Sequence, residues 1–170
     1  MATATSLMNT FDVDPAHSSV VFGIKHMQVA TFRASFAGVE GQLTAGDSGV
    51  RLEGAVRVLS ISIADPPEFR EHVLDSDFFD AGNHPEIRFA SELVDIDPDG
   101  VVRVIGNLTM RGVTRRITAS GTYDAPVEDP FGGRRAALEL RATLDRRDWG
   151  LAWQSALPSG ADAVGWTVDV

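Results

Sequence analysis

Four histidines, His17, His26, His72 and His84, are the side chains of this sequence best suited to proton transfer or metal ligation at neutral pH. Either task needs a carboxylate or a second imidazole held close by. No histidine has another within a few residues, and the His-Glu-x-x-His pattern is absent, so no metal site is read from the spacing. Ser18 follows His17, but neighbours on a strand point to opposite faces and would not form a nucleophile–base couple. Asp75, Asp77 and Asp80 could be read as paired carboxylates of the glycosidase kind; a solvated turn at a helix exit is the preferred reading. Neither a Gly-x-Ser-x-Gly elbow nor a glycine-rich phosphate loop is present. No catalytic residue is assigned. The alternative left open is an enzyme, a hydrolase or isomerase, acting on a small hydrophobic substrate through His17, His26 or His72 and a carboxylate.

The aromatic residues carry the stronger signal. The chain has nine Phe, three Trp and one Tyr. Phe78 and Phe79 stand between acids in Asp77-Phe78-Phe79-Asp80, and adjacent side chains in a turn cannot both enter a one-faced core unless the chain folds inward there. Phe22, Phe36, Phe89, Trp149 and Trp166 fall on the apolar phase of strands or near strand ends. They either fill a core or line an apolar tunnel with a few polar groups at its mouth.

The elements that must hold these side chains alternate with a period of two. Val20, Phe22 and Ile24 share one face of Ser19–His26. The same alternation recurs over Val50–Val58, Ile87–Leu93, Leu138–Leu144 and Val164–Val170. Turn residues separate the runs, and Asp97-Pro98-Asp99-Gly100 predicts a hairpin between Ile87–Ile96 and Val101–Leu108. About eight to nine strands are expected, in an antiparallel sandwich or closed barrel. Pro67–Leu74, with proline in its first turn and Phe69, Val73 and Leu74 on one side, predicts a short helix. Val29, Phe32 and Phe36 give Val29–Phe36 the spacing of a second one.

The chain of 170 residues carries a net charge of −9, which disfavours nucleic acid as a partner. Without cysteine there are no disulfides and no thiolate sites. The first ten residues have neither a basic start nor an apolar run, and no stretch is long enough to span a membrane. The expectation is one soluble, cytoplasmic domain over residues 11–170, with residues 1–10 a disordered or loosely attached tail and no stable membrane insertion. An exposed sheet edge would permit a homodimer. Arg115-Arg116, Arg134-Arg135 and Arg146-Arg147 could locally attract an anionic head group, although ordinary surface arginine is the preferred reading.

Four segments in order carry a family likeness: Asp12–Ser18 with Val21–His26, Asp77–Asp80 with His84–Ser91, Gly106–Thr114, and Arg147-Asp148-Trp149-Gly150. Together they resemble the YceI-like family, the polyisoprenoid-binding proteins, over about residues 11 to 170. The resemblance implies an all-β fold, an extended antiparallel eight-stranded lipocalin-like barrel with one or two short helices. It also implies a non-catalytic carrier whose tunnel holds an isoprenoid lipid: a polyprenyl phosphate, a polyprenol or a prenylated quinone. No cofactor beyond such a lipid is implied. Phe22, Phe78, Phe79, Phe89 and Trp149 match the motifs and would line the tunnel; strand phase adds Ile24, Phe36, Leu108 and Trp166. His17, His26, Arg70 and His72 would stand at its mouth. The stretch Arg70-Glu71-His72-Val73-Leu74 is one residue shorter between Arg and His than the family pattern.

Overall fold

The structure, a computed structural model, describes residues 9–170. Its strands are β1 (Thr10–Asp12), β2 (Val20–His26), β3 (Ala30–Phe36), β4 (Val39–Gly46), β5 (Gly49–Arg57), β6 (Glu86–Ile96), β7 (Val101–Met110), β8 (Val113–Glu128), β9 (Arg134–Arg141), β10 (Thr143–Asp145) and β11 (Val164–Asp169). The expected helix is present as α1 (Pro67–Leu74), with Pro67 and Glu68 in its first turn and His72 in its last. Thr10, the last residue of the expected tail, already pairs with Thr44; residues 1–8 lie outside the described residues.

A seven-stranded antiparallel sheet runs β1-β4-β5-β6-β7-β8-β9, and a four-stranded sheet runs β10-β11-β2-β3. They form one path. Ala142, between β9 and β10, exchanges both backbone hydrogen bonds with Val170 at 2.9 Å, so a single chain bends there from one sheet into the other. The result is a nearly closed antiparallel barrel, with eleven strand segments rather than the expected eight. The bend at Ala142 divides one path in two, and β1 adds a short strand outside β4.

Val29–Phe36 is not a second helix. Its residues from Ala30 form β3, paired with β2 from His26↔Ala30 to Val20↔Phe36. Phe32, Ala34 and Phe36 satisfy a two-residue period as well as Val29, Phe32 and Phe36 satisfy a helical one. Pairing with β2 decides, and the three-residue connection Met27–Val29 permits it: Met27 and Gln28 both have positive φ (52° and 63°), the left-handed conformation that lets the chain reverse into a hairpin.

Where β3 passes into β4, the other edge of β3 is met by the segment after β5. Ser62 N–H donates to Ser35 O at 2.8 Å, and Phe36 and Ile61 form an isolated bridge. Arg70 of α1 fastens this segment from behind. Its guanidinium donates to the carbonyls of Leu59 (2.7 Å), Ile61 (2.8 Å) and Ile63 (2.9 Å). Charged donors on backbone carbonyls are the stronger kind of hydrogen bond, so α1 is tied to the barrel wall as well as packed on it.

Candidate ligand-binding site

The barrel has two unlike ends. At one lie α1, the β2–β3 turn, the β7–β8 turn at Arg111-Gly112 and the loop from β10 to β11. At the other lie the β4–β5, β6–β7 and β8–β9 turns. We refer to them as the helix end and the hairpin end.

The helix end is packed. Phe22, Phe36 and Phe79 form a triangle with ring centroids 5.6 to 6.3 Å apart, and Phe32 meets Phe69 of α1 at 5.3 Å. Phe36 keeps 3% of its surface and Trp149 2%. Trp149 donates its indole N–H to Leu108 O at 3.0 Å, and Arg111 donates to Gly150 O at 3.0 Å. Two of the sequence motifs, Gly106–Thr114 and Arg147–Gly150, are thereby fastened to each other. The adjacent Phe78 and Phe79 part company. After α1 the chain wraps back on the helix: Phe79 N–H donates to Val73 O and Ala81 N–H to Leu74 O, with Asp80 at φ 50°. Phe79 thus enters the core, while Phe78 packs with His72 (5.1 Å) and Trp153 (5.4 Å). Trp153 and His72 stack edge-on at 4.8 Å.

The hairpin end is looser. Val94, Val102 and Val104 are buried, but Val50, Leu52, Phe89, Ile96, Tyr123, Leu138 and Leu140, packed against them, are only half-buried. These side chains lie on the less exposed phase of their strands, as β9 shows: Leu138 and Leu140 alternate with exposed Ala137, Glu139 and Arg141. Half-burial also occurs at the helix end, as at Phe22, Phe32, Phe69 and Phe79; the hairpin end differs in the smaller fully buried centre, Val94, Val102 and Val104, beneath its half-buried side chains. Phe89 lies across Gly106, where an added Cβ would come within 2.5 Å of its ring. The Tyr123 hydroxyl is shut off from solvent and has no hydrogen-bond partner among the described residues.

A strap, residues 13–19, crosses the hairpin end. Val13 N–H donates to Gly41 O on β4, and Asp14 takes the Arg135 guanidinium of β9 at 2.7 Å. His17 adds a 2.8 Å contact to Asp14. These partners, His17 first and then Arg135, hold the Asp14 carboxyl at about 2, well below its ordinary 3.8. Beside the strap lies a groove of about 450 Å³ lined by His17, Ser18, Ser19, Thr122 and Leu138 among others. Leu138 belongs both to this groove and to the apolar cluster inside.

The expected lining residues therefore fall in three places. Phe22, Phe36, Phe79 and Trp149 pack at the helix end, with Leu108 and Phe78 on the Trp149 cluster and Phe78 also against His72 and Trp153. Phe89 reaches the half-buried hairpin-end cluster, and Ile24 is half-buried opposite Phe32 and Val168. Trp166 lies under two guanidinium groups, Arg146 at 4.2 Å and Arg147 at 4.9 Å, and donates to Asp162 at 2.7 Å. The expected mouth residues are not brought together. His17 is on the strap, Arg70 and His72 are on α1, and exposed His26 ends β2 at the helix end.

Most of the arginine pairs are engaged within the chain. Arg146 is buried at 4% exposure and donates to the carbonyls of Gly165 and Leu151; burial pushes its guanidinium down. Arg147 grips Asp145 and holds that carboxyl at about 2. Arg116 pairs with Glu92 at 2.8 Å. In the aspartate cluster, Asp75 caps Ser76 N–H and Asp80 accepts from Asn83, as a turn requires. Among the described residues no three His, Asp or Glu side chains gather as metal ligands.

Tyr123 and Trp153 escaped the sequence reading. Tyr123 could have been found: it continues the alternation Ile117, Ala119, Gly121 on β8. Trp153 lies outside any strand, so no period points to it.

A nearly closed antiparallel barrel, packed at a helix-covered end and loosely filled with apolar side chains at the other, defines the class: a small β-barrel with an apolar interior. Within that class the chain belongs to the YceI-like domain family, whose model matches residues 11–170. Among curated relatives, a UPF0312 protein of Pseudomonas putida (strain GB-1) is 27% identical over 154 residues, covering 89% of this chain and 80% of that protein. A UPF0312 protein of Pseudomonas fluorescens is 29% identical over 147 residues (82% and 74%). The crystal structure of Burkholderia cenocepacia BcnA superposes with a TM-score of 0.69 at 18% identity, over 92% of this chain and 94% of that one. A polyisoprenoid binding domain from Saccharophagus degradans superposes at 0.66 with 12% identity (95% and 94%).

Proposed function

We propose that this protein is a non-catalytic carrier that holds one isoprenoid lipid in the hairpin-end half of its barrel. The observation that carries this reading is the half-burial of Val50, Leu52, Phe89, Leu138 and Leu140 on the inner phase of three strands, β5, β6 and β9. Each CH₂ of a lipid laid against such a surface contributes about 0.8 kcal/mol, so a prenyl chain needs no directional contacts along its length. The binding activity in the name of the Saccharophagus degradans neighbour points the same way. The lipid is a polyprenyl phosphate, a polyprenol or a prenylated quinone, delivered to the interior past the strap groove.

Organic extraction and native mass spectrometry of freshly purified protein test the reading. A bound isoprenoid, or uptake of added polyprenol at one per chain, is expected. A protein that is empty and takes up none would refute it. Leu138→Asp places a charge in the apolar cluster and should lower uptake by about tenfold or more, whereas Arg135→Ala on the rim should change it by less than about twofold. Equal effects would remove Leu138 from the site.

A further inference from the structure

Tyr123 is the single tyrosine of the chain, and its hydroxyl is the one buried side-chain polar atom left without a hydrogen-bond partner among the described residues. It is on β8, opposite Leu138 of β9, and packs against Val94, Val102 and Val104. The other side chains of this cluster, Val50, Leu52, Phe89, Ile96, Leu138 and Leu140, offer it no acceptor. A phenylalanine would fill the same volume without the cost of an unpaired polar group. An orphaned hydroxyl facing half-buried hydrophobic walls is a group waiting for a partner from outside the chain.

We infer that Tyr123 is the polar anchor of the barrel: its hydroxyl donates a hydrogen bond to a neutral acceptor oxygen, carbonyl or alcohol, at the head of the bound isoprenoid. The inference rests on the carrier reading above. Donation fits the phenol's state, because burial pushes its pKa up against the opposing charge of Arg134 and the proton stays on at neutral pH. A neutral head fits the walls. An anionic oxygen placed among valines and leucines would trade its water for one hydrogen bond, because Arg134, whose charge reaches the phenol, is an exposed residue at the start of β9 outside the cluster, and a buried charge without a close partner is far costlier than an unpaired dipole. The prenyl chain then runs from Tyr123 along Leu138, Leu140 and Phe89.

The test is a competition that cancels general losses of affinity. The full-length protein is loaded from an equimolar mixture of geranylgeraniol and the hydrocarbon in which CH₃ replaces CH₂OH, and native mass spectrometry reads the bound ratio. The wild type should favour the alcohol by about tenfold, the discrimination one buried hydrogen bond supplies, and Tyr123→Phe should bring the ratio near one. An unchanged ratio in Tyr123→Phe overturns the anchor while leaving the carrier reading intact; failure of both probes to bind the wild type overturns both. A third probe, geranylgeranyl phosphate, overturns the neutral-head assignment if it outcompetes the alcohol and loses that advantage in Tyr123→Phe. Unloaded Tyr123→Phe should melt above the unloaded wild type. A lower melting temperature would mean that the hydroxyl is already satisfied in the empty barrel, and would also overturn the inference.

Discussion

The helix end and the hairpin end of this barrel are built from the same strands, yet they differ in how fully their side chains are used. At the helix end, rings meet rings, Trp149 and Arg70 spend their donors on backbone carbonyls, and half-buried Phe22, Phe32, Phe69 and Phe79 rest on a broad, fully buried cluster that runs from Ala34 and Phe36 to Val73 and Ala81. At the hairpin end, seven apolar side chains stay half-buried and one hydroxyl stays unpaired. The contrast separates two jobs. On the carrier reading, stability is concentrated where α1 covers the barrel, and the ligand is taken up where turns and a strap close it. An unfilled interior costs dispersion contacts and burial, so the packed end must supply the stability that the loose end gives up.

The contrast breaks or sharpens under substitution. The largest effect is expected from Trp149→Ala, which leaves a large cavity and an unpaired Leu108 carbonyl and should lower unfolding free energy by about 3–5 kcal/mol in a urea melt. Arg70→Met keeps the aliphatic stem but removes three hydrogen bonds, and about 2 kcal/mol should be lost. Local hydrogen exchange should rise at Leu59–Ile63 before it rises elsewhere in the barrel. Leu52→Ala, at the loose end, should cost only about 1 kcal/mol because its side chain is already half out of the packing. If Leu52→Ala proved as damaging as Trp149→Ala, the hairpin end would be a filled core and the comparison would fail.

The smallest effect concerns the strap. Asp14 titrates at about 2 when folded against an ordinary 3.8, so the unfolded chain binds its proton first as pH falls. Its stabilising contribution is therefore complete above the unfolded value and is lost as pH drops from about 4 through about 2. Melting temperature should fall more between pH 5 and pH 2.5 in the wild type than in Asp14→Asn. Parallel falls would show that the strap is not held by the Asp14–Arg135 pair.

Local signals in the sequence carried well where a turn or a cap has a distinctive residue. Asp97–Gly100 gives the β6–β7 hairpin, and Pro67 with Glu68 gives α1 with its observed boundaries. They carried badly where two periods fit the same residues, as at Val29–Phe36. There Val29 turned out 83% exposed and only pairing with β2 chose the strand. The site was half legible. Strand phase finds Phe22, Phe89 and Leu108, because a two-residue period fixes the face each side chain takes. Phase does not say what that face meets. Trp166 shares a strand with Val168, yet its ring is covered by Arg146 and Arg147 from a 3-10 turn about twenty residues earlier.

By itself the sequence determined an all-β domain of the YceI-like family, the order of most strands, the helix, and which side of each strand is apolar. These follow from neighbours a few residues apart, where covalent geometry sets the pattern. Only the tertiary structure decided that Phe79 packs among the rings of Phe22 and Phe36 while Phe78 packs beside His72 and Trp153, that Arg70 clasps the carbonyls of Leu59, Ile61 and Ile63, and that the Tyr123 hydroxyl ends without a partner among the described residues. Each of these depends on segments far apart in the chain arriving at one place, and no local period encodes which segments those are.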